Sequence, residues 1–157
     1  MEILIQNRQN KIEYPAELEK LLEEAVEQVL KTEGYSPEAE VGIALIDDEE
    51  IRSYNKVYRG IDSPTDVLSF PQSEGDGPYE TPAGECLLGD IVISLERAAL
   101  QAEEYGHSLA REVTYLVVHG LYHLLGYAHD TPDQKDTMRA REEMALARLG
   151  LGRGSWE

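Results

Sequence analysis

The stretch HGLYHLLGYAH, from His119 to His129, holds three of the four histidines of this 157-residue chain. On an α-helix, His119 and His123 would lie on one face, about 6 Å apart along the axis, so that both rings can reach one ion. His129 cannot lie on the same stripe. Gly126, however, allows the chain to leave the helix in a left-handed turn and to bring His129 back. The spacing therefore predicts a three-histidine metal site.

The ligand set limits the metal to ions with affinity for imidazole, among which nickel remains an alternative to zinc. Three neutral imidazoles suit Zn²⁺ and leave a fourth position open for water, as in catalytic zinc sites. The chain has a single cysteine, Cys86, which cannot form an internal disulfide or a cysteine-rich zinc module. Histidines at helical spacing often only line a core, but three rings among leucines would need partners for six ring nitrogens. We therefore expect one zinc ion.

Strand and helix patterns alternate around this stretch. Apolar runs predict strands at 2–6, 41–46, 67–70 and 87–93, and apolar residues at helical spacing predict helices between and after them. Residues 71–85 hold three prolines and three glycines without periodicity, which predicts a long exposed loop and a possible lid. We expect one α+β domain over residues 1–157.

Four residues have the chemistry and position of helix N-caps. Asp47 precedes a helix that continues through Arg59, and Ser94 and Ser108 precede two further helices. Thr131, followed by proline and then by glutamine three residues on, predicts that a last helix begins just after His129. His129 is thus expected between two helix ends.

The chain is strongly acidic, with 31 acidic and 14 basic residues and a net charge of −17. This charge repels a polyanion over most of the surface, which argues against DNA and against general RNA binding. Any RNA contact is expected to be local. The one basic and aromatic stretch is RSYNKVYR, in which Arg52, Lys56 and Arg59 share a helix face. A simpler interpretation is that these bases complement the dipole of a helix that begins with four acids.

The sequence also bears on location. The N-terminal MEILIQ lacks the basic region of a signal peptide. The longest nearly apolar run, 115–128, is too short to cross a bilayer. We expect a cytoplasmic protein without a membrane partner.

Four motifs together resemble the YbeY family of endoribonucleases and ribosomal RNA maturation factors. They are NKVYRGIDSPTDVLSFP (55–71), LGDIVIS (88–94), YGHSLARE (105–112) and HGLYHLLGYAH (119–129). The resemblance implies a small mixed β-sheet of about four strands flanked by helices, with one zinc ion on the three histidines. It also implies a single-strand-specific endoribonuclease that acts in maturation of the small-subunit ribosomal RNA 3′ end and in ribosome quality control. Arg59 is the arginine that the resemblance associates with activity.

The chain departs from the family pattern at one position. The family usually has Gly-Tyr-Asp-His where this chain reads Gly-Tyr-Ala-His, with alanine at 128, and Asp130 follows the last histidine. If the usual aspartate orients a ligand or a water, that role is empty here or has moved to Asp130.

Two further carboxylates lie beside predicted strands. Asp66 and Asp90 are the acids that we expect to be buried, and either could accept the free ring N–H of a ligand histidine. Capping a turn is an equally simple role for each of them. His107, by contrast, is expected at the surface or at a helix cap.

The residues favour one reaction over its rivals. The zinc-peptidase signature H-E-x-x-H-x-x-G-x-x-H has the same histidine spacing, but Gly120 stands here in place of its general-base glutamate. Phosphodiester cleavage needs the metal to activate water or to polarise a phosphate oxygen, while Arg59 holds the phosphate and Lys56 assists in binding. A non-catalytic, zinc-stabilised ribosome assembly factor and a zincin-like hydrolase of a small or peptide substrate remain open. Basic ribosomal proteins or assembly factors are expected to recruit the RNA.

Overall fold

The computed structural model describes residues 1–35, 38–72, 79–80, 82, 84 and 86–151. The elements in chain order are β1 (Glu2–Asn7), α1 (Ala16–Thr32), β2 (Ala39–Ile46), α2 (Asp48–Arg59), β3 (Val67–Pro71), β4 (Tyr79–Glu80), β5 (Cys86–Ser94), α3 (Leu95–Tyr105), α4 (Leu109–Leu124) and α5 (Pro132–Arg148). The predicted α+β class is confirmed.

The strands form one mixed sheet in the order β1-β2-β5-β3. β1, β2 and β5 are parallel, whereas β3 runs antiparallel to β5. The short β4 pairs with Cys86 and Leu87 of β5, on the edge that β3 uses further along. The mixed sheet of four main strands agrees with the prediction.

One strand was not predicted. β4 lies inside the segment 71–85, whose sequence has no strand periodicity. Two residues can pair with β5 through backbone groups alone, which leaves no pattern to detect. Within the segment predicted as a lid, residues 73–78, 81, 83 and 85 lie outside the described residues.

Helix α4 is the central element of the core. It contacts α1, α3, α5, β3 and β5, and eleven of its sixteen residues are buried. Leu116 and Leu121, at most 1% exposed, each contribute roughly 2 kcal/mol by leaving water. The core therefore fixes the rotation of α4, and with it the direction of every side chain on the helix. Among the described helices, none is long and apolar enough to cross a membrane.

Gly120 allows α4 to approach the sheet closely. A Cβ at this position would lie 2.9 Å from Ile91 Cγ2 and 3.2 Å from Ser69 Oγ. The Ser69 hydroxyl donates a hydrogen bond of 3.3 Å to the Gly120 carbonyl oxygen. The position directly after His119 thus faces the sheet.

The opposite face of the sheet carries a smaller core. Leu68 and Val92 pack there against Ile51 of α2, with Tyr54 and Phe70 at the margin. This packing places α2 and α4 on opposite faces of the sheet.

The predicted caps are confirmed. The side chains of Asp47, Ser94, Ser108 and Thr131 each accept a hydrogen bond from the backbone N–H three residues on. At Thr131 the bond is reciprocal, since the Gln134 side chain accepts from the Thr131 backbone N–H at 3.1 Å. The ends of the last two helices are therefore set by local sequence.

We expect Gly120→Ala to lower the free energy of unfolding by about 1–2 kcal/mol, because the added methyl overlaps buried Ile91. Helix propensity alone predicts the opposite sign, a gain of about 1 kcal/mol for alanine over glycine. Chemical denaturation of both proteins measures the difference. A stabilised variant would contradict the close packing described here.

Candidate metal centre

The structure brings the three predicted ligands together. His119 and His123 lie on α4 and His129 lies in the connection to α5, and one ring nitrogen from each falls within 4.8 Å of the others. The ring centroids are 4.7 Å apart for His119 and His123, and 4.6 Å apart for His123 and His129. In the part of the chain that the structure describes, no other group of three histidine, cysteine or acidic side chains is arranged to hold an ion.

The segment between α4 and α5 positions His129 next to the other two histidines. Gly126 has a φ of 99°, a left-handed conformation that glycine adopts readily, and its N–H donates to the His123 carbonyl oxygen at 3.0 Å. At the other end, Gln134 Oε1 accepts from the backbone N–H of Asp130 at 3.1 Å. The short segment that carries His129 is thus fixed on both sides.

Glu142 on α5 orients the first ligand. The Nδ1–H of His119 donates to Glu142 Oε2 at 2.5 Å, and the Glu142 side chain is only 5% exposed. This bond selects the tautomer that leaves Nε2 of His119 available to a metal. Sequence reasoning missed Glu142. A signal was present, since Glu142 occurs in register with buried Met138 and Leu146, where an acid requires a partner.

A backbone carbonyl orients the second ligand. The Nδ1–H of His123 donates to the Tyr127 carbonyl oxygen at 3.1 Å. Burial, and secondarily the neighbouring rings of His119 and His129, lower the pKa of His123 to about 4. At neutral pH this imidazole is therefore uncharged, which is the form that binds a metal.

Long-range contacts hold Tyr127 in turn. Its hydroxyl donates to Glu33 Oε1 at 2.5 Å, and Arg141 donates to Glu33 Oε2 at 3.0 Å. The Arg141 guanidinium lies 5.9 Å from the centroid of the Tyr127 ring. The end of α1 and the middle of α5 therefore support the segment on which the ligands depend.

Two of the three histidines, His119 and His129, line a cavity of about 520 Å³. Its walls include Tyr115, Lys135 and Arg139, as well as the exposed Asp130. Asp130 thus lines the same cavity as His119 and His129.

The other two predicted carboxylates do not meet the histidines. Asp90 is exposed rather than buried, and its Oδ1 lies against the open side of Gly42. Because neighbours on a strand point to opposite faces and Ile91 faces α4, Asp90 points away from the metal centre. Asp66 is half-buried and accepts from its neighbour Val67 N at 2.7 Å.

Arg59 lies at the end of α2, next to the outer strand β3. Its guanidinium donates to the Ser69 carbonyl oxygen at 2.9 Å and lies 5.6 Å from the centroid of the Phe70 ring. The Ser69 hydroxyl in turn contacts the backbone of α4 at Gly120. Arg59 is therefore connected to the histidine helix through a single residue of β3.

The other two basic residues of this face of α2, Lys56 and Arg52, have different surroundings from Arg59. Lys56 is exposed, and Arg52 forms an ion pair with Asp62 at 2.7 Å. Lys56 lies in the last turn of α2, where a cation complements the helix dipole, whereas Arg52 lies near the beginning of the helix and does not.

Comparison with known proteins identifies the family. A family model described as endoribonuclease YbeY matches residues 4–150. A protein named endoribonuclease YbeY from Desulforamulus reducens is 53% identical over 153 residues, which cover 98% of this chain and 100% of that protein. Another of the same name, from Pelotomaculum thermopropionicum, is 50% identical with the same coverage. The solution structure of TM1509 from Thermotoga maritima is similar, with a TM-score of 0.61, 26% identity, and coverage of 93% of this chain and 90% of that one. The chain belongs to the endoribonuclease YbeY family.

Proposed function

We propose that this protein is a cytoplasmic, zinc-dependent endoribonuclease that cuts single-stranded RNA in ribosomal RNA processing. Its sites of action would be the small-subunit 3′ end and defective ribosomes. The family that the chain belongs to is named for endoribonuclease activity. The observation that carries the proposal is the group of three histidines, two of which line a cavity. The ring N–H groups of His119 and His123 are already hydrogen-bonded within the protein.

The residues present fit a zinc ion. Glu142 and the Tyr127 carbonyl occupy Nδ1 of His119 and His123, so the opposite nitrogens remain for coordination. A bound zinc ion would supply Lewis acidity for attack on a phosphodiester. Glu142 also places a buried negative charge behind His119, which strengthens the imidazole as a ligand.

Gly120 bears on the rival peptidase function. In the zinc-peptidase signature this position carries the general base. Here it faces Ile91 and Ser69, so a longer side chain would meet the sheet rather than the substrate. This packing favours phosphodiester chemistry over peptide hydrolysis.

Arg59 is the residue that we assign to the phosphate. One of its N–H groups is bound to Ser69 O, and guanidinium has five such donors, so others remain for a non-bridging oxygen. Lys56, on the same helix face, adds positive charge to this region of an otherwise acidic protein. Arg59 would stabilise charge that develops at phosphorus.

The non-catalytic alternative requires a closed metal site. A structural zinc normally has four protein ligands. Among the described residues, the group that could hold an ion has three members and no acidic or cysteine side chain joins it. This supports a catalytic site over a purely structural one.

Acidity limits how the protein meets RNA. A net charge of −17 opposes binding along an RNA backbone. We therefore infer that basic ribosomal proteins or assembly factors bring the substrate, and that only the region near Arg59 and the cavity contacts RNA.

The zinc-loaded protein is expected to cut a small-subunit ribosomal RNA precursor in its single-stranded 3′ region and to leave a matched duplex intact. Removing zinc with a chelator should abolish cleavage, and adding zinc should restore it. Gel analysis of end-labelled RNA measures both effects. Cleavage that continues at full rate in the metal-free protein would refute the proposal.

Glu142→Gln should weaken zinc binding by about 10–100-fold. The neutral amide no longer places a negative charge against the Nδ1–H of His119, so the imidazole becomes a weaker ligand. Glu143→Gln is the matched control, since it removes the same charge from the next residue, which is 33% exposed. Competition with a chromophoric chelator measures both affinities. Equal affinities for the two variants would show that Glu142 does not support the ligand.

Arg59→Lys should reduce RNA cleavage by about 100-fold with zinc content unchanged, because lysine keeps the charge but loses the planar pair of donors. Arg52→Lys, at an exposed ion pair on the same helix, is expected to cleave normally. Initial rates under single-turnover conditions provide the comparison. An Arg59→Lys variant as active as wild type would show that Arg59 does not stabilise the charge that develops at phosphorus.

A further inference from the structure

A second cavity of about 520 Å³ adjoins the metal cavity. The two share Tyr115, Arg139 and Glu142 as walls. The remaining walls come mainly from the end of α3 and the beginning of α4, and nothing in the proposed catalytic scheme uses them. A cavity of this volume is suited to a ligand of nucleoside size.

A buried carboxylate with an unused oxygen forms part of this second cavity. The Glu112 side chain is 3% exposed, and its Oε1 accepts only a long hydrogen bond of 3.4 Å from His107 Nε2. Its Oε2 is buried and has no hydrogen-bond partner among the described residues. An unsatisfied buried acceptor is costly, and a ligand that supplies an N–H donor would remove that cost. The second cavity therefore favours a ligand that carries a hydrogen-bond donor.

His107 differs from its sequence-based expectation. It was expected at the surface or at a helix cap. Its backbone N–H does cap the end of α3, by donating to the Ala102 carbonyl oxygen at 3.0 Å, but its side chain is only 9% exposed and lies against Glu112. Its ring N–H can hold one carboxylate oxygen of Glu112 and so direct the other. The contact with His107 thus holds the Glu112 carboxylate in one orientation as a hydrogen-bond acceptor.

The walls of the second cavity carry charges of both signs and one aromatic ring. Asp66 and Glu112 supply carboxylates that can accept from a base, while Arg111 and Arg139 supply guanidinium groups that can attract a phosphate. Tyr115 lies between the two cavities, with its ring centroid 5.9 Å from that of His119. The half-buried ring of Tyr115 can stack on a base.

We propose that the second cavity is a nucleobase subsite that binds guanine, with the adjoining phosphate directed towards Arg139 and the metal cavity. The Watson–Crick edge of guanine presents two adjacent donors, N1–H and the N2 amino group. Glu112 can accept both, because its Oε2 has no partner among the described residues and its Oε1 has a second lone pair besides the one that faces His107. Adenine and cytosine each place a ring acceptor beside their amino group, and uracil has a single donor between two carbonyls. This subsite rests on the proposed ribonuclease function and gives it a base preference.

Nucleotide binding to the zinc-loaded protein tests the subsite without requiring cleavage. GMP should bind about tenfold more tightly than AMP, and more tightly than IMP, which lacks only the N2 amino group. Glu112→Gln should bring GMP and AMP to within about twofold, while Glu104→Gln, an exposed acid of α3 that does not line the cavity, keeps the preference. Titration calorimetry provides the affinities, and thermal unfolding and zinc content check each variant. Equal binding of GMP, IMP and AMP to wild type would overturn the proposal.

Cleavage separates this proposal from the ribonuclease function. Single-stranded oligonucleotides with one guanine should be cut beside it, and replacing that guanine by inosine should slow cleavage by about tenfold. Cleavage without any base preference would overturn the subsite and leave the nuclease standing. A guanine preference in binding, without cleavage of any RNA, would support the subsite and overturn the nuclease. If Glu112→Gln does not fold, the comparison of GMP with IMP in wild type decides.

Discussion

The close packing of α4 against the sheet is the constraint on which the metal centre depends. At Gly120 the backbone of the helix lies so near Ile91 and Ser69 that no Cβ fits without displacement. This contact, with the buried leucines around it, fixes the rotation of α4. Because His119 and His123 are one turn apart on that helix, their direction follows from the packing of the core. The same contact removes the position that a peptidase uses for its base.

The metal centre combines local and distant contributions. The left-handed turn at Gly126 and the cap at Thr131 return His129 to the helix, and both follow from nearby sequence. Glu142 and Glu33, by contrast, act from α5 and α1 on His119 and Tyr127. The three histidines are therefore a product of the whole fold, and the second cavity extends the same surface towards the beginning of α4.

Features of the structure could be predicted where they depend on residues close together in the sequence, and were missed where they depend on contacts between distant elements. Helical spacing and capping residues act over a few positions, so the histidine group and the limits of α4 and α5 could be predicted. Glu142 meets His119 only after two helices pack, and no local pattern specifies that partner. Asp90 was assigned to the interior, but a strand alternates faces at each residue and its neighbour Ile91 is the one that points to α4. Two-residue β4 left no pattern at all.

The chain belongs to a family named for endoribonuclease activity, yet its net charge repels RNA. The two facts agree if only a small part of the surface contacts RNA. Arg59 is linked to the histidine helix through Ser69, and Arg139 lines both cavities. Under the proposed function, the protein would contact a short stretch of RNA rather than a long backbone. Delivery by a basic partner would then replace general electrostatic attraction.

The central claim is that three histidines hold one metal ion and leave a coordination position open. X-ray absorption spectroscopy of the zinc-loaded protein tests it most directly, together with a count of zinc per chain. We predict one zinc with three imidazole nitrogens at about 2.0–2.1 Å and one oxygen that does not come from the protein. A sulfur ligand, a fourth protein ligand, or the absence of bound zinc would contradict the account.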